Sequence, residues 1–145
     1  MKTLHITEDT AKLILRLTIG ILVLLHGIAK LTNPEALGFI ESLLSKKHLP
    51  EFLAYGVYIG EIVAPIMLIV GYRVRCAAGL IVFTLAMAIF LAHSGDIFSL
   101  SPMGGGWAIE LQALFLFGAL VIYGLGSGKY ALVPEKSCEC CTTGK

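Results

Sequence analysis

Four apolar stretches, each close to the length of a membrane span, are the feature that most limits what this chain can fold into. They cover residues 11–31, 52–71, 74–92 and 107–125. A helix needs about 20 apolar residues to cross the hydrocarbon core of a bilayer. A helix also pairs its own backbone N–H and C=O groups, which find no hydrogen-bond partners in the hydrocarbon of the bilayer. The pattern therefore predicts an all-α integral membrane protein, a bundle of four transmembrane helices.

The composition of the chain supports a membrane environment. Of the 145 residues, 57% are hydrophobic and 14% are charged, whereas about a quarter of the residues of a soluble domain are charged. The formal net charge is only +1. A nucleic-acid partner is not expected, because proteins that bind nucleic acid display a basic patch. The lipid bilayer is the expected partner of most of the surface.

The positions of the lysines and arginines predict the orientation of the bundle. With a cytoplasmic N-terminus, the cytoplasmic side holds Lys2, Lys12, Arg16, Arg73, Arg75, Lys129, Lys136 and Lys145, and the outer side holds Lys30, Lys46 and Lys47. This excess of basic residues predicts that both termini are cytoplasmic, in a cell inner membrane or plasma membrane. The first stretch follows the acidic Glu8 and Asp9 rather than a basic segment, so we expect an uncleaved helix and not a signal peptide.

The loop after the first stretch predicts a short helix of its own. Asn33, Pro34 and Glu35 are typical of a helix start. Apolar residues then recur at helical spacing, and Pro50 ends the run. We expect an amphipathic helix at the outer membrane surface. The predicted organisation is a cytoplasmic segment at residues 1–10, a transmembrane domain at 11–128 and a cytoplasmic cysteine-containing tail at 129–145.

Ionisable side chains within the apolar stretches are the candidate functional residues. Such groups cost about 2.5–3.5 kcal/mol at the bilayer centre, so they normally face the bundle interior or water. The candidates for ligand binding or proton handling are Glu61, His26, Arg16, Lys30, His93 and Glu110. Three of them, Arg16, His26 and Lys30, fall within an arc of about 80° on one helix face. The outward half of the bundle is expected to contain His26, Glu61, His93 and Glu110.

Every candidate except Glu61 also has a purely structural interpretation. His93 lies at the end of its span, and a neutral, buried His26 with one hydrogen bond is tolerated. Lys30 and Glu110 lie near helix ends and could reach the lipid head groups, and Arg16 could do so at the opposite side. Glu61 is too deep and too short to do so, and therefore needs a partner or a proton. Three hypotheses follow: a carboxylate–histidine metal site, proton exchange with a quinone or another small redox ligand, or ion pairs that hold the helices together. The metal site lacks the Glu-x-x-His motif of its class.

The four cysteines offer a separate candidate. Cytoplasmic thiols stay reduced, and Cys138, Cys140 and Cys141 are three soft ligands that could bind copper or zinc. The alternative is an incidental tail, because the tail has no second pair of cysteines. Cys76 is expected to be structural.

The ordered series of motifs resembles the DoxX family of small four-helix membrane proteins. The segments that resemble it are LRLTIGILVLLHGIAKL, GEIVAPIMLIVGYRVRCAAG and GGGWAIELQALFLFGALVIYGLGSGKYAL. The matching elements are Arg16 with Gly20, His26 and Gly27 with Lys30, Gly60 with Glu61, Gly71 with Arg73, Gly105 and Gly106 with Glu110, and the glycine-rich end at residues 124–128. The resemblance covers nearly all of residues 11–132, and the cysteine-rich tail departs from it.

DoxX-like proteins are named for a relative of a thiosulfate:quinone oxidoreductase subunit, and other members are linked to redox and oxidative-stress complexes. The resemblance implies a component of a membrane redox system that interacts with quinone as its cofactor. It also implies a membrane or peripheral redox protein as partner, with a homo-oligomer as a further candidate assembly. The protein would then be a subunit of a quinone-linked oxidoreductase. The alternative is a non-catalytic scaffold or a small-solute permeation protein whose buried charges are structural ion pairs.

Overall fold

The described part of the chain folds into five helices, four of them arranged as a bundle. The computed structural model describes residues 7–95, 98–100 and 106–133. Within these ranges the helices are α1 (Glu8–Leu31), α2 (Pro34–Lys46), α3 (Glu51–Val70), α4 (Val74–Ala92) and α5 (Glu110–Leu125). The predicted all-α membrane bundle is confirmed.

Three of the helices have the length and hydropathy needed to cross a membrane. They are α1 with 24 residues, α3 with 20 and α4 with 19. α5 is also apolar but has only 16 residues, which is about 24 Å at 1.5 Å per residue. It begins later than residue 107, where the sequence pattern placed its start. The reason is that Trp107 pairs with Leu100 in an isolated antiparallel bridge instead of entering the helix.

The first two helices begin at the capping residues that their sequences supply. The side chain of Thr7 accepts a hydrogen bond from the backbone N–H of Thr10 at the start of α1. The side chain of Asn33 accepts one from the backbone N–H of Glu35 at the start of α2. These bonds satisfy backbone donors that the first turn of a helix leaves without a partner. The short helix predicted between the first two spans is therefore present.

The helices pack around a shared apolar core. α1 packs against α3 and α5, α4 packs against α3 and α5, and α2 lies across the start of α3. The core includes Ile19, Val23, Leu68, Ile81 and Phe115, all nearly inaccessible. Large apolar side chains such as those of Leu25, Phe83 and Phe117 remain exposed on the outside of the bundle. This inside-and-outside apolar pattern is expected when the surroundings are lipid.

Glycines allow close approach where helices cross. A Cβ atom on Gly27 would overlap the backbone carbonyl of Glu61, and one on Gly60 would overlap the side chain of Thr84. α1 therefore touches the backbone of α3, and α3 touches α4, at adjacent residues of α3. Small residues commonly have this function in membrane bundles.

We predict that Gly27→Ala destabilises the bundle, because the obstacle is backbone and cannot rotate away. Overpacking of this kind costs about 1–3 kcal/mol. The matched control is Gly38→Ala in α2, where no atom lies within 4 Å of the added Cβ. Thermal unfolding in detergent should show a lower midpoint for Gly27→Ala and an unchanged or higher one for Gly38→Ala. Equal midpoints would contradict the assigned contact.

Candidate functional site

A cavity of about 480 Å³ lies between the helices at the end of the bundle that contains Lys30. Its walls come from α1, α2, α3, α4 and α5 and are mostly aliphatic and aromatic. The polar side chains that line it are those of His26, Lys30, Glu61, Thr84, His93 and Gln112. Small-molecule sites have volumes of roughly 300–1,000 Å³, with mainly apolar walls and a few polar groups. The cavity has both properties.

An ion pair between Lys30 and Glu61 forms the charged part of the cavity. Lys30 Nζ lies 2.6 Å from Glu61 Oε1. The Lys30 side chain is 25% exposed and that of Glu61 only 1%. Lys30 therefore turns inward to its partner instead of reaching for lipid head groups, and the ammonium is the more accessible member of the pair. A buried carboxylate requires such a partner, because an isolated charge is strongly disfavoured away from water.

The second oxygen of Glu61 has a different environment. Glu61 Oε2 is buried and has no hydrogen-bond partner within residues 7–95, 98–100 and 106–133. Buried polar atoms without a partner are rare in folded proteins, and each one calls for an explanation other than packing. Glu61 therefore combines a short ion pair with an unsatisfied acceptor.

The backbone around Glu61 is irregular for a reason visible in the sequence. Residues Ile59–Val63 form a π-helical turn, in which the N–H of Ala64 donates to the carbonyl of Ile59. Pro65 has no N–H, so it cannot donate to the carbonyl of Glu61 four residues earlier. Gly27 of α1 packs against that same carbonyl. π-Helical turns within helices are frequent at functional sites, and this one contains the buried carboxylate.

Two histidines and a glutamine complete the polar end of the cavity. His26 lies one turn before Lys30, is half-buried and lines the same cavity as Lys30 and Glu61. Its ring meets the ring of Phe115 edge-on, with centroids 6.4 Å apart. His93, at the end of α4, has its Nε2 atom 3.5 Å from Nε2 of Gln112 on α5. The structure thus brings together His26, Lys30, Glu61 and His93.

The other two candidate residues lie outside the cavity. Glu110, at the start of α5, is exposed and does not line it. Arg16 is 2% exposed at the opposite end of α1. Its Nη1 donates to the carbonyl of Ser127 at 2.9 Å, and its Nη2 donates to the carbonyl of Tyr130 at 2.8 Å.

Comparison with known families gives one match. The DoxX family model matches residues 11–94, more than half of the chain. The chain belongs to the DoxX family. The matched range includes Arg16 and four of the residues that line the cavity, His26, Lys30, Glu61 and His93, and it ends before α5. No curated relative and no solved structure shows a significant match.

In this DoxX-family chain, Arg16 anchors the segment that follows α5. Besides the two bonds from Arg16, the N–H of Leu132 donates to Val70 at 3.4 Å, and that of Val133 donates to Gly71 at 3.2 Å. Gly71 has a φ of 82°. A Cβ atom added to Gly71 would lie only 2.8 Å from the Cα atom of Ala131. Arg16 pairs with no carboxylate in the described part of the chain. Its two hydrogen bonds satisfy carbonyl groups at this end of the bundle.

In residues 7–95, 98–100 and 106–133, no group of three His, Cys, Asp or Glu side chains could hold a metal ion. Cys76 is a free, exposed thiol. The proposed metal ligands Cys138, Cys140 and Cys141 lie outside the described residues, and their assignment stays a prediction.

Sequence reasoning missed three features of the cavity. Thr84 and Gln112 are uncharged, and nothing in their local sequence distinguishes them from other polar residues in membrane helices. The π-helical turn had a signal in the sequence. Pro65 follows Glu61 by four residues and has no N–H, so the backbone carbonyl of Glu61 lacks its usual α-helical donor.

We predict that Arg16→Gln lowers the stability of the bundle, because it removes two charge-assisted bonds to backbone carbonyls, one buried at Ser127 and one partly buried at Tyr130. Such bonds are worth about 1.5–3 kcal/mol each, so a loss of about 3 kcal/mol is expected. The control is Lys46→Gln, which removes an exposed positive charge at the end of α2, where surface charges contribute less than about 1 kcal/mol. Thermal unfolding in detergent compares the two. Equal effects would show that Arg16 is not the anchor.

We also predict that the Lys30–Glu61 pair behaves as a coupled unit. Lys30→Met leaves a buried carboxylate without its partner, which costs about 3–5 kcal/mol. The double variant with Glu61→Met as well should lose less stability than Lys30→Met alone, because neither charge remains buried. A double-mutant cycle of unfolding free energies measures the coupling. Additive effects would mean that the two side chains do not interact.

Proposed function

We propose that this DoxX-family protein is a component of a membrane redox system and that its cavity binds the head group of a quinone. The observation that supports the proposal is the Lys30–Glu61 pair at the polar end of a mainly apolar cavity of about 480 Å³. A quinone has the matching chemistry, since polar carbonyl oxygens are attached to an apolar ring and chain. When bound, it supplies the capacity to carry electrons and protons within the membrane.

Lys30 is the residue best suited to contact the head group. Its ammonium has three N–H bonds, and one of them is used by Glu61 Oε1. The remaining donors suit a ring carbonyl, and the Lys30 side chain is the accessible member of the pair. Glu61 then acts as a positioning residue, because its buried carboxylate holds the ammonium at the cavity wall.

His26 is the residue best suited to handle protons. Its ring lies at the cavity, one turn from Lys30, and imidazole is the side chain that exchanges protons most readily near neutral pH. His93 and Gln112 extend the polar end on the other side. In this proposal, Arg16 and Glu110 do not contact the ligand, because they lie outside the cavity. With both termini cytoplasmic, as the basic residues predict, the cavity would lie in the outer half of the bilayer.

The competing proposal is a non-catalytic scaffold or small-solute permeation protein. One observation favours it: the ion pair joins α1 to α3 at 2.6 Å and therefore also holds helices together. The two proposals differ in what happens when the carboxylate is neutralised. A scaffold loses assembly or stability, whereas a ligand site loses its ligand while the protein stays folded.

We predict that protein purified in mild detergent retains quinone in about equimolar amount, detected by extraction and mass spectrometry. Glu61→Gln should retain about tenfold less, because the amide does not fix the Lys30 ammonium by charge and a factor of ten corresponds to about 1.4 kcal/mol. The matched control is Glu110→Gln, which makes the same change at an exposed carboxylate outside the cavity.

Thermal unfolding of both variants shows whether they remain folded. Absence of quinone from the wild-type protein, or full retention by Glu61→Gln, would contradict the quinone proposal. A folded Glu110→Gln that also loses quinone would show that the effect is not specific to the cavity.

A further inference from the structure

The cavity has walls that also form the outer surface of the bundle. Ile59 of α3 and Phe83 of α4 both line it, yet they are 52% and 65% exposed. Leu80, one turn before Phe83 on α4, also lines the cavity and is 39% exposed. Side chains that face both the cavity and the surroundings mark an opening. Because α3 and α4 are membrane-crossing helices, this opening faces the hydrocarbon layer.

The amphipathic helix α2 covers the cavity at the end nearest Lys30. Ala36, Ile40 and Leu43 of α2 line the cavity, and Leu44 is 2% exposed. The segment after α2 is tied to α4, because Lys47 Nζ lies 5.4 Å from the centroid of the Phe90 ring, within the range of a cation–π interaction. Phe39 of α2 and Leu53 of α3 also line the cavity and are 57% and 43% exposed, so its exposed apolar side runs from α2 along α3 and α4.

We propose that the cavity takes its ligand sideways from the bilayer, with the hydrocarbon chain of the ligand lying in the opening between α3 and α4. The polar head of the same molecule then lies at Lys30. This inference rests on the proposed function, since it assigns a chain to the quinone whose head group occupies the charged end. The ligand class is thereby narrowed to chain-bearing quinones, and the chainless ring alone is expected to bind weakly.

Gly56 provides the space for such a chain. It lines the cavity, is exposed and has no atom within 4 Å of the position that a Cβ would occupy. A large side chain at residue 56 would therefore enter the opening without displacing protein atoms near its Cβ. Gly60, one turn later, is different, because Thr84 already fills the space beside it.

The test is to narrow the opening and compare two probes. Gly56→Trp is compared with Gly124→Trp, a change at an exposed glycine of α5 that also has no atom within 4 Å and lies outside the cavity. The probes are one quinone ring with a ten-carbon chain and the same ring without a chain. Binding of each is measured on the full chain in nanodiscs.

We expect Gly56→Trp to weaken binding of the chain-bearing probe by about tenfold, as loss of two buried CH₂ groups would. The chainless probe should bind as it does to the wild-type protein, and Gly124→Trp should change neither affinity. If Gly56→Trp does not fold, Ile59→Trp narrows the same opening from an already exposed position. Equal weakening of both probes, or of neither, would overturn the inference.

Failure of the head-group proposal gives a different result. Glu61→Gln, measured in parallel, should weaken both probes, because both have the same ring. If Glu61→Gln leaves both affinities unchanged while Gly56→Trp weakens only the chain-bearing probe, the opening binds a chain but the ring does not lie at Lys30. If the wild-type protein binds neither probe, both proposals are wrong.

Discussion

The ion pair between Lys30 and Glu61 is the interaction on which the rest of the site depends. A carboxylate that is 1% exposed inside an apolar bundle is tolerated only with a partner close by, because the cost of removing a charge from water is large. That requirement brings α1 against α3, and Gly27 permits the contact because it has no side chain to separate α1 from the Glu61 carbonyl. The cavity is bounded by these same helices. Packing, charge compensation and the candidate ligand site therefore have a common origin.

The two ends of α1 solve the problem of a buried cation in different ways. Lys30 pairs with a carboxylate and keeps part of its surface in the cavity, whereas Arg16 donates to the carbonyls of Ser127 and Tyr130 and is 2% exposed. A planar guanidinium has several donors in a fixed arrangement, which suits two carbonyls at once. An ammonium is a compact charge whose donors are free to rotate. The guanidinium of Arg16 therefore suits a structural anchor, whereas the ammonium of Lys30 keeps donors available to a ligand.

Several features of the site were predictable from local sequence. Helical periodicity placed His26 and Lys30 on one face of α1, and the depth and short length of the Glu61 side chain required a partner for it. The same periodicity also placed Arg16 on that face, and its depth set it apart at the other side of the membrane, since 14 residues of helix span about 21 Å. Its bonds to the carbonyls of residues 127 and 130 were not predictable. Glu110 was grouped with the site by its depth in the membrane. Depth does not give the direction of a side chain, and Glu110 lies on the exposed surface.

The sequence by itself determined that the chain is an α-helical membrane protein with ionisable residues on its helices, because hydrophobic length and helical period are local properties. It also identified the family, because the order and spacing of the motifs can be recognised in the sequence without knowing which residues are in contact. Only the tertiary structure decided that Lys30 pairs with Glu61, that Arg16 bonds to the carbonyls of residues 127 and 130, and that all five helices contribute to one cavity. These outcomes depend on how helices distant in sequence rotate and approach one another, and close approach at Gly27 and Gly60 sets that geometry.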